Sequence, residues 1–63
     1  MINMENKYYS IKEISKLLKV SYLTIFRLVK ENKIVAYKVG KQYRIKESDF
    51  NNYLLTIKNS NNI

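Results

Sequence analysis

Apolar residues recur at helical spacing in the first third of this chain of 63 residues. Four of them share one helical face: Ile11, Ile14, Leu17 and Leu18. This stripe predicts a first helix from about Ile11 to Leu18. Ser10 and Glu13 have the spacing of a capping box, in which each side chain accepts a hydrogen bond from the other residue's backbone amide. The first helix therefore has a defined beginning as well as an apolar face.

A second helical pattern follows a short break at Lys19 and Val20. Ser21 is a candidate N-cap. Behind it, three apolar residues return at helical spacing: Ile25, Leu28 and Val29. The pattern predicts a helix from about Tyr22 to Glu31. Two short amphipathic helices joined by a few residues make a helix-turn-helix, although a plain helical hairpin has the same pattern.

The surface of the second helix favours a binding role. Its early exposed positions are Tyr22, Leu23, Thr24 and Arg27. On a helix face that met only solvent, the apolar surfaces of Tyr22 and Leu23 would be exposed to water and make no stabilising contact.

A β-hairpin is predicted around Gly40, the only glycine of the chain. β-Branched and aromatic residues from Ile34 to Val39 are typical of a strand, and Gln42 to Ile45 forms the returning strand. Gly40 can adopt the positive φ that a two-residue loop of Gly40 and Lys41 requires. The predicted pairs are Val39 with Gln42, Lys38 with Tyr43, Tyr37 with Arg44, and Ala36 with Ile45.

Alternation along these strands divides the hairpin into two faces. The core-facing side has Ile34, Ala36, Tyr43 and Ile45. The opposite side has Tyr37, Val39, Gln42 and Arg44, with Lys38 and Lys41 near the tip. A slip of register by one residue would exchange the faces and bury Arg44, so the register given above is favoured.

A third helix of two to three turns is predicted to begin between Lys46 and Ser48. Its apolar stripe is Phe50, Tyr53, Leu54 and Ile57, which is most simply a core-packing face. Together these elements predict one α+β domain over residues 8–57, with flexible termini at 1–7 and 58–63.

Composition argues against several function classes. The chain has no cysteine and no histidine, so disulfides and the usual zinc sites are excluded, along with the commonest catalytic bases and nucleophiles. We therefore expect a binding module rather than an enzyme, with no cofactor and no metal. No stretch approaches the length of a membrane span, which suggests a cytoplasmic protein without a membrane partner.

The positive charge is concentrated in one segment. Between Arg27 and Lys46 there are seven basic residues and one acid, Glu31, so this segment carries +6 of the net charge of +7. A local excess of this kind is typical of a surface that binds nucleic acid.

The stretches VSYLTIFRLVKENKI and AYKVGKQYRI, with the spacing between them, resemble the excisionase-type helix-turn-helix family, a relative of the MerR-like winged domains. The resemblance covers Tyr8 to Leu54. It implies a winged helix-turn-helix fold and binding to double-stranded DNA. Five positions depart from the family's usual residue: Lys19 and Asn32 replace glycines, Ser15 an alanine, Phe26 a tyrosine and Lys41 an arginine.

The resemblance implies that the second helix enters the major groove and that the hairpin, or wing, meets the adjacent backbone. The expected DNA-binding residues are Tyr22, Leu23, Thr24, Arg27, Lys30, Tyr37, Lys38, Lys41, Gln42 and Arg44. Arg27 is the best candidate for a base contact or a close phosphate contact, because its fork matches guanine or a phosphate. The lysines are expected to meet phosphates.

The family includes recombination directionality factors and transcriptional regulators. We favour an excisionase-like factor that binds repeated sites, assists an integrase or other recombinase, and self-associates on DNA. A small regulator from a phage, plasmid or other mobile element is the alternative. An RNA- or protein-binding module is less favoured, because an RNA-binding sheet exposes aromatic stacking platforms and only Tyr37 is a candidate.

Overall fold

The computed structural model describes residues 7–60. It contains three helices, α1 (Ile11–Leu18), α2 (Tyr22–Lys30) and α3 (Glu47–Ser60), and three strands, β1 (Tyr8–Tyr9), β2 (Tyr37–Val39) and β3 (Gln42–Lys46). The two-helix unit followed by a hairpin and a third helix is the predicted winged helix-turn-helix. Among the described residues, no helix is both long and apolar enough to cross a membrane.

The predicted caps of α1 and α2 are present. The Ser10 amide donates to Glu13 Oε1 at 2.8 Å, and the Glu13 amide donates to Ser10 Oγ at 3.0 Å. Ser21 Oγ accepts from the Thr24 amide at 3.2 Å. These bonds satisfy amides that the helix itself leaves unpaired, so both helices begin where the sequence predicted.

Two non-glycine residues end the helices in the left-handed conformation. Lys19 has φ 59° and Asn32 has φ 61°. The following amides close both turns, since Val20 donates to the Ser15 carbonyl at 3.0 Å and Lys33 to the Leu28 carbonyl at 2.9 Å. Asparagine tolerates this conformation, whereas lysine there costs about 1–2 kcal/mol.

The core lies between the helices and the inner face of the sheet. Its buried apolar residues are Ile11, Ile14, Ile25, Val29, Ile34, Ile45 and Phe50. Leu17 lies on the predicted apolar face of α1 but does not join the core, because it is 58% exposed. Ser15 is buried instead, with its hydroxyl donating to the Lys12 carbonyl at 2.8 Å. A small residue at this position lets α1 and α2 pack closely.

The hairpin has the predicted register but a shorter first strand. Tyr37 pairs with Arg44, Lys38 with Tyr43, and Val39 with Gln42. The strand predicted from Ile34 begins only at Tyr37. The Ile34 amide donates to the Leu28 carbonyl of α2 at 3.4 Å. Ile34 therefore takes part in the C-terminal turn of α2, and the strand starts after it. The core-facing assignment is confirmed, with Ile34 and Ile45 buried.

The strand β1 was not predicted. It adds to the other side of β3, giving the order β1-β3-β2, with Tyr8 opposite Lys46 and Tyr9 opposite Ile45. The Lys7 carbonyl accepts from the Glu47 amide at 2.8 Å, and the Tyr9 hydroxyl donates to Glu47 Oε2 at 3.3 Å. Burial and the Glu47 carboxylate raise the pKa of Tyr9. These contacts fasten the start of α3 to the sheet.

Helix α3 is longer than predicted, at 14 residues or about four turns. Phe50 is buried and Tyr53 and Leu54 pack on the core, but Ile57 is 41% exposed. The helix is therefore anchored mainly by its first half. Of the termini expected to be flexible, residues 58–60 continue this helix, and residues 1–6 and 61–63 lie outside the described part of the chain.

Candidate nucleic-acid interface

The first turns of α2 have one side buried against the core and the opposite side exposed. Ile25 and Val29 are buried against the core, which fixes the rotation of the helix. The opposite side leaves Tyr22 52% and Leu23 65% exposed, and Arg27 and Lys30 are exposed as well. This is the arrangement that the major groove admits, a single helix with polar and apolar groups facing outward.

Ser21 and Thr24 are tied to one another at the start of α2. Their hydroxyl oxygens are 2.9 Å apart, in addition to the capping bond to the Thr24 amide. Both residues are exposed, so the Thr24 hydroxyl can still accept or donate a further bond. Its position is thus set by the cap before any ligand arrives.

The wing turns at Gly40, which has φ 65°. Among the described residues, Lys41 is not one of those with positive φ, so only the first loop residue is left-handed, as in a type II′ turn. A Cβ at Gly40 would meet nothing within 4 Å. The glycine is therefore required by the backbone conformation rather than by lack of space, and it places Lys41 at an exposed tip.

A cleft of about 480 Å³ opens between the N-terminus of α1, helix α2 and the wing. Its charged lining residues are Lys12, Lys30, Lys38, Lys41 and Arg44. Among residues 7–60, no acidic residue lines it. We call this the basic cleft. Five cations from three separate elements face one space, which is a strong electrostatic attraction for a polyanion.

An aromatic row forms the floor of the basic cleft. The rings of Tyr22 and Phe26 are stacked, with centroids 6.3 Å apart, and Phe26 meets Tyr43 edge-on at 6.2 Å. Lys30 Nζ lies 5.9 Å from the Phe26 centroid, and Lys38 Nζ lies 5.6 Å from that of Tyr43. Cation–π contacts of this kind hold the two ammonium groups beside the cleft.

Arg44 is positioned by its neighbours on β3. Its Nη2 donates to Gln42 Oε1 at 2.6 Å, and its Nη1 donates to the Tyr43 carbonyl at 3.2 Å. Arg44 is half-buried and lines both the basic cleft and a recess on the outer face of the sheet. Two bonds from one guanidinium restrict its rotation, so less entropy is lost when it binds.

The predicted site residues divide into three groups. Tyr22, Lys30, Lys38, Lys41, Gln42 and Arg44 line the basic cleft. Leu23, Thr24 and Arg27 are exposed on α2 beside it, and Tyr37 lies on the outer face of the sheet. Lys12 and Tyr43 also line the cleft and were not predicted. Tyr43 was predicted on the core-facing side of the hairpin, so it was not expected in a binding surface. No sequence pattern places Lys12 near the wing.

A longer bacterial protein resembles this chain. The "Uncharacterized protein YvgK" of Bacillus subtilis (strain 168) is 45% identical over 49 residues, which cover 78% of this chain and 16% of the relative. The chain thus spans only a small part of that protein. No solved structure matches the chain significantly. Residues 8–57 match the model of the family described as "Helix-turn-helix domain", and the chain therefore belongs to this excisionase-type, DNA-binding helix-turn-helix family.

Proposed function

We propose that this protein binds specific sites in double-stranded DNA as an excisionase-like recombination directionality factor. The observation that carries the proposal is the basic cleft beside the exposed face of α2, because it offers both groove-reading side chains and phosphate-binding cations on one side of the molecule. Within the described residues, no acid lines that cleft to oppose a phosphate.

Helix α2 supplies the groups that read sequence. Arg27 projects from the exposed side of the helix and is the candidate for a guanine edge, where its fork can donate two parallel hydrogen bonds. Leu23, 65% exposed, has the apolar surface to contact a thymine methyl. Tyr22 and Thr24 then lie within reach of the flanking backbone or a base edge.

The wing and the cleft supply the groups that hold phosphate. Lys38, Lys41 and Arg44 carry fixed positive charge along the wing, and Lys30 faces them from α2. Gln42 accepts a hydrogen bond from Arg44 and also lines the cleft. Tyr37 does not line the basic cleft and is left out of this duplex contact.

The excisionase-like role follows from the size of the interface. One helix and one wing of a single module bury on the order of 600–1,000 Å², which is too little to select one site in a genome. Several copies on adjacent repeats would provide that selectivity and would reshape DNA for a recombinase, its proposed partner. We assign this activity to the cytoplasm of a bacterial cell, on chromosomal, phage or plasmid DNA.

A second candidate is a transcriptional regulator. It is favoured by the relative, in which the matched 49 residues make up only 16% of the length. The same domain therefore occurs joined to much more chain, an arrangement that suits DNA binding controlled by another domain.

Selection of bound sites from a random duplex library separates the two roles. The excisionase-like role expects clustered direct repeats, and in the source genome these should flank a recombinase crossover site. The regulator expects single or paired sites that overlap promoters. Failure to enrich any duplex sequence would contradict both roles.

A further inference from the structure

The outer face of the sheet, which points away from the helices, carries two half-exposed tyrosines. The outward positions of its strands are Tyr8, Tyr37, Val39, Gln42, Arg44 and Lys46. Tyr8 is 50% and Tyr37 48% exposed. Together with Val39 and Arg44 they line a shallow, largely apolar recess. We call this surface the outer sheet face.

The pairing of the strands sets the spacing of the two rings. Tyr8 lies opposite Lys46 and Tyr37 opposite Arg44, on the two sides of β3. From the ordinary spacing of strands and residues, their Cα atoms are about 12 Å apart. The Arg44 side chain lies between them in the recess, with its guanidinium held by Gln42 and the Tyr43 carbonyl. The Tyr8 ring, the Arg44 guanidinium and the Tyr37 ring are thus three planar groups in sequence across the sheet.

The fold does not need these rings in this position. Their neighbour Tyr9 points inward and meets Phe50 edge-on at 5.8 Å, which is how a tyrosine contributes to the core. Within residues 7–60, the rings of Tyr8 and Tyr37 contact no other ring and their hydroxyls have no hydrogen-bond partner. Toward this part of the chain, each therefore keeps a free π face and a free polar tip, as residues at binding surfaces do.

The charge of the outer sheet face selects among possible ligands. None of its outward positions is acidic, and Arg44 and Lys46 are cationic. A polyanion that also exposes flat aromatic groups complements both the cations and the rings. Duplex DNA does not meet this requirement, because its bases are stacked on each other, whereas unpaired bases present their faces to aromatic side chains.

We propose that the outer sheet face binds single-stranded nucleic acid, with unpaired bases stacked on Tyr8 and Tyr37 and phosphates near Arg44 and Lys46. This site is separate from the basic cleft and does not depend on the proposed duplex function. Arg44 lines both surfaces, so it is unsuitable for distinguishing them. The two tyrosines and Arg27 belong to one surface each and serve that purpose.

The substitution Tyr37→Trp gives a direct test. The chain has no tryptophan, so this variant reports only from the outer sheet face. Single-stranded oligo(dT) and oligo(rU) of about 12 nucleotides should quench its fluorescence, and comparing the two shows whether the 2′-hydroxyl adds affinity. A duplex of equal length should quench it much less. Absence of quenching by either single strand, or equal quenching by the duplex, overturns the proposal.

Affinity measurements on matched variants complete the test. Tyr8→Ala and Tyr37→Ala should each weaken oligo(dT) binding roughly 5- to 150-fold, the range found for loss of one base stack, while Tyr8→Phe and Tyr37→Phe retain it. Leu55→Ala, which removes a comparably exposed apolar side chain on α3, should change nothing. All variants are checked for folding by circular dichroism.

Arg27→Ala separates the two surfaces. It should weaken duplex binding and leave oligo(dT) binding unchanged. Loss of oligo(dT) binding in Arg27→Ala but not in the tyrosine variants would place the single strand in the duplex site and overturn the proposal. So would self-association of the wild type that Tyr8→Ala and Tyr37→Ala abolish without affecting oligo(dT), because the face would then be a protein contact.

Discussion

The ring of Phe26 meets the ring of Tyr43 edge-on, with centroids 6.2 Å apart and planes at 67°. Phe26 belongs to α2 and Tyr43 to β3, so this contact joins the helix that carries Arg27 to the strand that carries Arg44. Edge-to-face pairs of this kind contribute about 0.5–1.5 kcal/mol beyond the area they bury. The pair is thus a direct contact between the two halves of the proposed duplex interface.

Phe26→Ala should lower the free energy of unfolding by about 2 kcal/mol, less than for a fully buried phenylalanine because the ring is only half-buried. It should also weaken duplex binding, since the wing loses its contact with α2. Phe26→Tyr, which keeps the ring, is the matched control and should preserve both. Urea unfolding and fluorescence anisotropy measure the two effects. An alanine variant that is less stable but binds normally would mean that the pair does not orient the wing.

Duplex binding should depend steeply on salt. The segment from Arg27 to Lys46 carries +6, and if about five phosphates are neutralised, log K falls with log[salt] at a slope of roughly −4 to −5. Anisotropy titrations over a series of salt concentrations give the slope. A value near zero would contradict binding through the basic cleft.

Arg27→Ala and Lys41→Ala should separate base reading from phosphate contact. Arg27→Ala should cost roughly 1–3 kcal/mol more on the selected site than on random duplex. Lys41→Ala should weaken both about equally and reduce the salt slope by about one. Lys58→Ala removes the same charge from α3, away from the basic cleft, and should leave both affinities nearly unchanged. Equal losses on both DNAs for Arg27→Ala would identify it as a phosphate contact.

Lys19→Gly should stabilise the protein. Lys19 has φ 59° and ψ 44°, a conformation that glycine adopts freely, although glycine also makes the unfolded chain more flexible. The net gain in the free energy of unfolding should be about 0.5–1 kcal/mol. Lys16→Gly, within α1, is the control and should instead lose about 1 kcal/mol. Thermal melts compare the two, and destabilisation by Lys19→Gly would show that the side chain makes an offsetting contact.

The free protein should be a monomer that binds cooperatively to repeated sites. The apolar stripe of α3 is used by the core through Phe50, Tyr53 and Leu54, which leaves little of it for a stable dimer. Affinity per copy should rise on DNA carrying two or three repeats. Sedimentation of the free protein and titration of the three DNAs measure this. A tight dimer without DNA would favour a conventional dimeric regulator.

The sequence by itself determined the elements whose signals are local. Ser10, Glu13 and Ser21 fix where α1 and α2 begin, because a cap needs only residues three positions apart. Gly40 fixes the hairpin, and the period of two then sets which side chains face the core. Each of these signals lies within a few residues, so the helix-turn-helix and the register of the wing could be predicted.

The tertiary structure alone decided what depends on contacts between distant parts of the chain. Strand β1 has two residues, which are too few to show a periodic pattern. It forms because Tyr8 and Tyr9 pair with Lys46 and Ile45, which are distant in the sequence. Lys12 joins the basic cleft only because α1 packs where the wing folds back. Tyr8 lies near Tyr37 for the same reason. Such neighbours are brought together by burial of the shared core, whose geometry no local pattern encodes.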